Sequence, residues 1–425
     1  MQHQRKDMFV IGFALFSMFF GAGNVIFPPY LGLGCGRQWV LGFLCYYLAD
    51  IGLALAALFA ILRSGSSDGI TRPIGRIPST VLMSAIVLCI GPMLAIPRTA
   101  ATTYEMSVAP LVSGLSPVWF SVLFFALILL LCLNESAVVD IVGKVLTPAL
   151  LLGLLVLIVK GVIDPIGPVP AHILVENVPR TGIEAGYQTM DVLAALVFGI
   201  ILLDSAREKG HTDPKAQFRV VAGAGVVAGV ALLVVYLGLT YLGVTTSCFF
   251  DLTVLRTFLM TSIVRNLLGS GGIVLFSIVV ALACITTAVA LVSSAAAYFA
   301  HLSGERIPYR LLVILISVFS AEVSNFGLEQ IVAIAGPILD IVYPPTLVLI
   351  ALAFLHRWIP NDWVYRFAVL GALAFSLLSV LKGRGMPMDF LERLPLASYG
   401  FGWVVPAAVC GAVGLLFGHR DAERA

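Results

Sequence analysis

Charge is what this sequence has least of. Asp, Glu, Lys and Arg make up 11% of 425 residues, where a soluble domain carries about 25%. With 60% of residues hydrophobic and a mean hydropathy of +1.04, too little polar surface exists to clothe a globule in water. Soluble enzymes, nucleic-acid binders and disordered scaffolds are excluded. A net charge of +2 indicates no polyanionic partner. The seven cysteines (35, 45, 89, 132, 248, 284, 410) contain no C-x-x-C spacing, which leaves them as packing thiols rather than zinc or redox ligands. The six histidines (3, 172, 211, 301, 356, 419) fall in loops or at the ends of apolar runs and form no metal cluster. A phosphate-binding G-x-x-x-x-G-K-[ST] loop is missing, so nucleotide hydrolysis is not the energy source. No Ser/His/Asp, paired-Asp or H-E-x-x-H constellation sits at membrane depth, so the chain is expected not to be an enzyme. Strict alternation of apolar and polar residues is absent too, which argues against a β-barrel.

What is present is a series of long apolar runs, each close to the roughly 20 residues a membrane-spanning helix needs. They cover 8–33, 40–62, 78–97, 118–133, 145–162, 187–203, 220–244, 273–302, 311–323, 331–355, 363–381 and 401–417. The chain is expected to be an all-α integral membrane protein of about twelve spans, its residues 1–425 forming a single polytopic domain in the bilayer. The first run follows Arg5 and Lys6 as a signal peptide would, but it is too long and lacks a small-residue cleavage site, so it is read as a retained helix. With the N-terminus inside, 16 of the 25 Lys and Arg residues lie on the inner side, the bias expected of cytoplasmic loops. An even span number then places both termini in the cytoplasm and turns the long loops 161–186 and 245–272 outward.

The first run contains Gly21-Ala22-Gly23-Asn24-Val25-Ile26-Phe27-Pro28-Pro29. Two glycines and an asparagine sit at mid-membrane, followed by two prolines that cannot continue the hydrogen-bond ladder. Unwound backbone at that depth is tolerated where it lines a cavity or is buried in protein. Its carbonyls can then coordinate a cation, and the adjoining helix N-terminus can hold a carboxylate. A glycine-mediated helix contact with a proline kink accounts for the same residues equally well.

This stretch resembles the first-helix signature of the branched-chain amino acid:cation symporters, the bacterial BrnQ-type carriers. Gly91-Pro92-Met93-Leu94-Ala95-Ile96-Pro97-Arg98-Thr99-Ala100, Gly186-Tyr187-Gln188-Thr189-Met190-Asp191, Val197-Phe198-Gly199-Ile200 and Tyr343-Pro344-Pro345 look like the same family. Order, spacing and span number agree along essentially the whole chain. Residue 194 departs from the pattern: it is Ala where that family often has Gly, which leaves the unwinding point in the sixth span less defined. The resemblance implies a leucine-transporter-like fold, with spans 1–5 (residues 8–162) and 6–10 (187–355) as an inverted repeat and two additional spans (363–417). It also implies uptake of Leu, Ile and Val driven by a sodium gradient, with no cofactor.

In that architecture a sodium site lies between the first and eighth helices. The matching residues are the carbonyls of Ser17 and Phe20, the carbonyl of Ala283, and the hydroxyls of Thr286 and Thr287, three and four positions on from Ala283 and on one helix face. Small residues such as Ser293 to Ala297 also suit that helix for packing alone. An unwound segment near 191–195 is expected to face the first break, with backbone groups from both breaks holding the substrate's carboxylate and ammonium. The candidate substrate residues are therefore Gly21, Ala22, Gly23, Asn24, Ile96, Asp191, Leu193 and Phe198, the apolar ones as walls for a branched side chain.

The few charges inside apolar runs each have two readings. Arg98 and Glu105, seven residues apart, share a helix face and read as a structural ion pair near the outer mouth, or as a gate. Asp50 and Asp340 read as paired buried groups, or as proton relays. Asp140 with Lys144, and Asp204 with Arg207, read as interfacial charges. The chain is thus expected to be a sodium-coupled branched-chain amino-acid symporter of the inner membrane. Its rivals are a proton-coupled carrier and a channel, although no filter repeat is visible. Oligomeric state is not legible.

Overall fold

Backbone groups have no water partners inside hydrocarbon, so runs as apolar as these must close their hydrogen bonds within a helix. The computed structural model describes residues 2–112, 114–133, 147–359 and 361–417, and among these there is no strand. The first run is two helices, α1 (Gln2–Phe19) and α2 (Ala22–Cys35). The second comprises α3 (Trp39–Tyr47) and α4 (Leu53–Ser64), joined through a widened π-type turn at Leu48–Gly52. The third is α5 (Arg76–Leu88) and α6 (Ala95–Thr103), separated at Cys89–Met93, where Gly91 leaves helical geometry (φ −94°, ψ −127°). Then come α7 (Pro117–Leu133) and α8 (Thr147–Ile163). The sixth run is again two helices, α9 (Val178–Thr189) and α10 (Asp191–Glu208). The remainder are α11 (Pro214–Val244), α12 (Arg256–Leu302), α13 (Tyr309–Ser324), α14 (Leu328–Leu355), α15 (Trp363–Gly383) and α16 (Val404–Gly414).

All twelve apolar runs fall on these helices, the fifth from residue 147 onward. Six helical stretches among the described residues are long and apolar enough to cross a membrane, and three shorter apolar helices accompany them. Their outward faces carry residues such as Val81, Leu123 and Leu370, each about 60% exposed, which suits lipid rather than water. Asp140, Lys144, His419, Arg420 and Arg424 lie outside the described residues.

Three expectations need correction. Pro28 and Pro29, expected to interrupt the helical ladder within the first run, do not, because α2 continues through both to Cys35. Each proline removes one ladder bond, but the remaining turns are buried against neighbouring helices and stay closed. The outward loop 161–186 contains the start of α9, whose half-polar sequence hides it from a search for apolar runs. Asn177 caps it by accepting from the Arg180 N–H at 3.1 Å. Likewise, loop 245–272 holds the first part of α12, which reaches Leu302 after a kink at Gly269 (φ 67°).

The two broken helices stand at the centre. α1 and α2 pack along α11, α2 also touches α9 and α12, α4 lies on α10, and α6 lies on α12. α15 and α16 pack mainly on one another and on α14, at the periphery. The approach of α2 to α11 is set by glycine. A Cβ at Gly32 would sit 2.0 Å from the Thr240 carbonyl oxygen, and one at Gly243 would sit 1.9 Å from that of Pro29. Ser247 closes the same seam by donating to the Leu33 carbonyl at 3.1 Å.

Gly32→Ala and Gly243→Ala should each lower the thermal unfolding midpoint in detergent, because backbone must move and overpacking costs about 1–3 kcal/mol. Gly271→Ala, where nothing lies within 4 Å of the added carbon, should instead leave the midpoint unchanged or raise it slightly, since Ala is the better helix former by about 1 kcal/mol. Equal midpoints for all three variants would show that the α2–α11 seam has slack.

Candidate functional site

The site is built from the two helix breaks. α1 ends at Phe19 and α2 begins at Ala22, so Phe20 and Gly21 form the gap, with Gly21 in extended geometry (φ −112°, ψ −165°). In the sixth run the break is one residue, Met190, held in the left-handed region (φ 68°, ψ 14°). A non-glycine residue there costs on the order of 1–3 kcal/mol unless its surroundings enforce it; Met190 is 1% exposed. The expected unwinding at 191–195 is thereby corrected to residue 190. Asp191 to Ala195 are helical, and Ala194 is compatible with that because no special backbone geometry is required of it.

Asn24, buried on the first turn of α2, joins the two breaks. Its side-chain amide donates to the Asp191 carboxylate at 2.8 Å and to the Tyr236 hydroxyl on α11, and its Oδ1 accepts from the Gly21 N–H at 3.4 Å. Thr189, the last residue of α9, donates its hydroxyl to Asp50 at 2.8 Å and to the Gly186 carbonyl. Asp50 is fully buried, and its Oδ2 has no partner. Tyr187 of α9 stacks on Tyr343 of α14 with ring centroids 4.3 Å apart.

Arg98 is not paired with Glu105. The break at Gly91 re-aims α6 so that Arg98 crosses to the end of α9. There it donates to the carbonyls of Gln188 and of Thr189, the latter at 3.2 Å. Glu105 instead accepts from the Thr257 hydroxyl and the Leu328 N–H, both at 2.9 Å, and so ties α12 and α14 together. Asp340 is surface-accessible on α14, with the charges of Arg180 and Glu184 nearest to it. Asp204 and Arg207 form an exposed pair at 3.0 Å, as read from the sequence.

A cavity of about 30 Å³ lies between the breaks, room for a water or two and far less than an amino-acid side chain. Of the residues singled out in the sequence, Gly21, Ala22, Asn24, Asp191, Phe198 and Thr287 line it. Gly23 is turned toward the guanidinium: a Cβ there would lie 2.9 Å from Arg98 Nη2. Ile96 and Leu193 are fully buried but do not line the cavity. Arg98, Thr99, Thr189 and Met190 line it and had not been assigned to it. The signal for Arg98 lay in Gly91-Pro92, a helix breaker placed two turns before a lone charge.

Beside Gly21, lining the same cavity, stands Thr287, whose Oγ1 is buried without a partner and would lie 3.4 Å from a Cβ at Gly21. Thr286 differs, since its hydroxyl donates to the Ala283 carbonyl at 2.8 Å. Ser17 is partly buried, while Phe20 and Ala283 are buried, and none of the three lines the cavity. The carbonyl end of α1 and the Thr287 hydroxyl together offer oxygen donors and no carboxylate. Among the described residues no group of three or more His, Cys, Asp or Glu side chains could hold a metal.

This geometry, two opposed helix breaks around a small, partly polar cavity within an apolar bundle, is that of a solute carrier. A solved Na+-coupled sialic acid symporter, in a substrate-bound outward-open state, superimposes with a TM-score of 0.61 over 97% of this chain and 90% of its own at 13% identity. The shared fold is the leucine-transporter-like one. The branched-chain amino acid permease BraB of Bacillus subtilis is 35% identical over 96% of this chain and 95% of its own. The branched-chain amino acid transport system 2 carrier protein of Pseudomonas aeruginosa is 37% identical over 95% and 94%. The family model described as branched-chain amino acid transport protein matches residues 4–420. The chain therefore belongs to the branched-chain amino acid transport protein family, whose members are carriers rather than enzymes.

Proposed function

We propose that this chain imports leucine, isoleucine and valine across a bacterial inner membrane in symport with Na+. Residues 8–162 and 187–355 act as inverted halves, and both termini are cytoplasmic. The observation that carries the reading is the position of the first break. It meets the unpartnered Thr287 hydroxyl and is tied through Asn24 to Asp191 at the second break. An ion and an amino acid bound at those two points order the same few residues. The names of the relatives support the substrate, and the structural likeness to a Na+-coupled symporter supports the ion.

The cavity of about 30 Å³ is too small for an amino acid, so entry requires α1–α2 and α9–α10 to part from the helices around them. The substrate backbone then lies between the breaks, its ammonium toward Asp191 and α-helical carbonyl ends, its side chain toward Phe198. A desolvated Na+ takes oxygens from the end of α1 and from α12, with Thr287 as its hydroxyl ligand. Uptake of labelled leucine into proteoliposomes under separately imposed Na+ and H+ gradients tests the coupling. Accumulation that follows the proton gradient alone would replace Na+ with a proton carried at buried Asp50.

Two variants sharpen the test. Thr287→Ala should raise the Na+ half-saturation by about tenfold or more, the loss of one ligand being on the order of 1–3 kcal/mol, while leucine KM at saturating Na+ changes little. The Thr287 hydroxyl has no partner in the empty protein, so the ion-free melting temperature should stay the same. A fall in that temperature with no change in Na+ dependence would return Thr287 to packing. Gly23→Ala should abolish leucine binding in protein that remains monodisperse, because the new carbon sits 2.9 Å from Arg98 Nη2 and 3.2 Å from the Phe27 ring. Normal leucine affinity in Gly23→Ala would mean that the segment serves helix contact only.

A further inference from the structure

Arg98 presents a buried cation with no salt-bridge partner among the described residues. It is 4% exposed; its nitrogens donate to the carbonyls of Gln188 and Thr189, and its guanidinium lies 5.7 Å from the centroid of the Phe27 ring. Its Nε has no partner. Removing a guanidinium from water without a carboxylate or phosphate to replace the lost hydration is strongly unfavourable. Partial negative charge at the carbonyl end of α9 offsets a fraction of that. A capping role alone explains two of the five N–H groups and leaves the rest of the fork unused.

Arg98 lines the cavity between the breaks together with Gly21, Asn24 and Asp191, and a Cβ at Gly23 would come 2.9 Å from its Nη2. One buried cation and one buried anion, Arg98 and Asp191, thus border the same space. Together they offer one charge of each sign, as recognition of a zwitterion requires.

We propose that Arg98 is the anchor for the substrate's α-carboxylate, with Asp191 as the partner of its α-ammonium. This rests on the reading that an amino acid occupies the space between the breaks, and it replaces anonymous backbone groups there with two named charges. In the empty carrier the Gln188 and Thr189 carbonyls hold the guanidinium in place. On binding, the planar fork takes the carboxylate through paired N–H groups, which a lysine ammonium cannot reproduce. Selectivity follows from charge matching in a dry site. A free amine leaves Arg98 unmatched, a free acid leaves Asp191 unmatched, and only the α-amino acid satisfies both.

The experiment measures equilibrium binding of L-leucine and of L-leucinamide, which keeps the amine and side chain but lacks the carboxylate, at saturating Na+. Wild-type protein should favour leucine by at least about tenfold, the magnitude of a charged hydrogen-bonded contact. Arg98→Gln should weaken leucine by a similar factor while leucinamide changes little, so that the preference collapses. Arg98→Lys keeps the charge and a donor for the α9 carbonyls, and should show a preference between the two; it serves as the readout if Arg98→Gln does not fold. An unchanged leucine to leucinamide ratio in either variant, or parallel loss of both ligands, would make Arg98 a strut between α6 and α9 and overturn the assignment. Wild-type protein that binds neither ligand would overturn the transport reading itself, and this proposal with it.

Discussion

The hydrogen bond from Asn24 to Asp191 is the interaction on which the centre of this protein depends. Each broken helix exposes orphan N–H and C=O groups at a depth where water cannot satisfy them. Asn24 addresses both breaks at once. Its Oδ1 takes the Gly21 N–H at one, and one amide hydrogen reaches Asp191 at the other. The second amide hydrogen reaches Tyr236, on the helix against which α1 and α2 both lie. All of the donors of this side chain are engaged. An aliphatic residue of the same size would leave Asp191, Tyr236 and Gly21 unsatisfied together, and buried groups left that way cost more than the bond they lose.

Neighbouring contacts extend the same logic from the breaks to the bundle. Thr189 turns its hydroxyl to Asp50 on the second span, and Arg98 on the third span receives the carbonyl end of α9. Both contacts fix the residue preceding Met190, whose left-handed backbone is held without glycine. The backbone at Met190 is therefore held from two sides by polar contacts to the residues before it. Glycine does the opposite work at the α2–α11 seam, where the absence of side chains at Gly32 and Gly243 lets backbones touch.

Much of this was legible in the sequence, and the parts that were not share a physical reason. Apolar runs of near-bilayer length located the apolar helices among the described residues, because hydrocarbon demands them whatever the packing. Gly21 and Asn24 marked the first break, since glycine and a short amide at mid-membrane have few other uses. Helices that are not apolar escaped: the start of α9 and the outer part of α12 lie where hydropathy is low, and their caps are visible only once the fold is known. The break in the sixth span was expected within 191–195 but occurs at Met190, where tertiary contacts rather than residue type impose the geometry. The partner of Arg98 was misread for a related reason. A seven-residue spacing to Glu105 describes a continuous helix, and the third span is interrupted at Gly91 and widened at Tyr104–Val108.

The placement of the two candidate sites on one short segment carries its own thermodynamic content. Gly21 faces Thr287, and two residues later Gly23 faces Arg98. A ligand that orders this segment from either side reduces the conformational entropy that the other must remove. Coupling of that kind is reciprocal: by whatever factor the ion raises affinity for the amino acid, the amino acid raises affinity for the ion. It needs no long pathway through the bundle, because the shared element is four residues long. It also accounts for glycine at both positions, since a side chain at either would stiffen the segment in advance and fill the space into which a ligand group has to come. The cavity of about 30 Å³ that Gly21, Arg98 and Thr287 all line is where the two candidate sites meet, so that an ion and a zwitterion bound there would act on the same four residues.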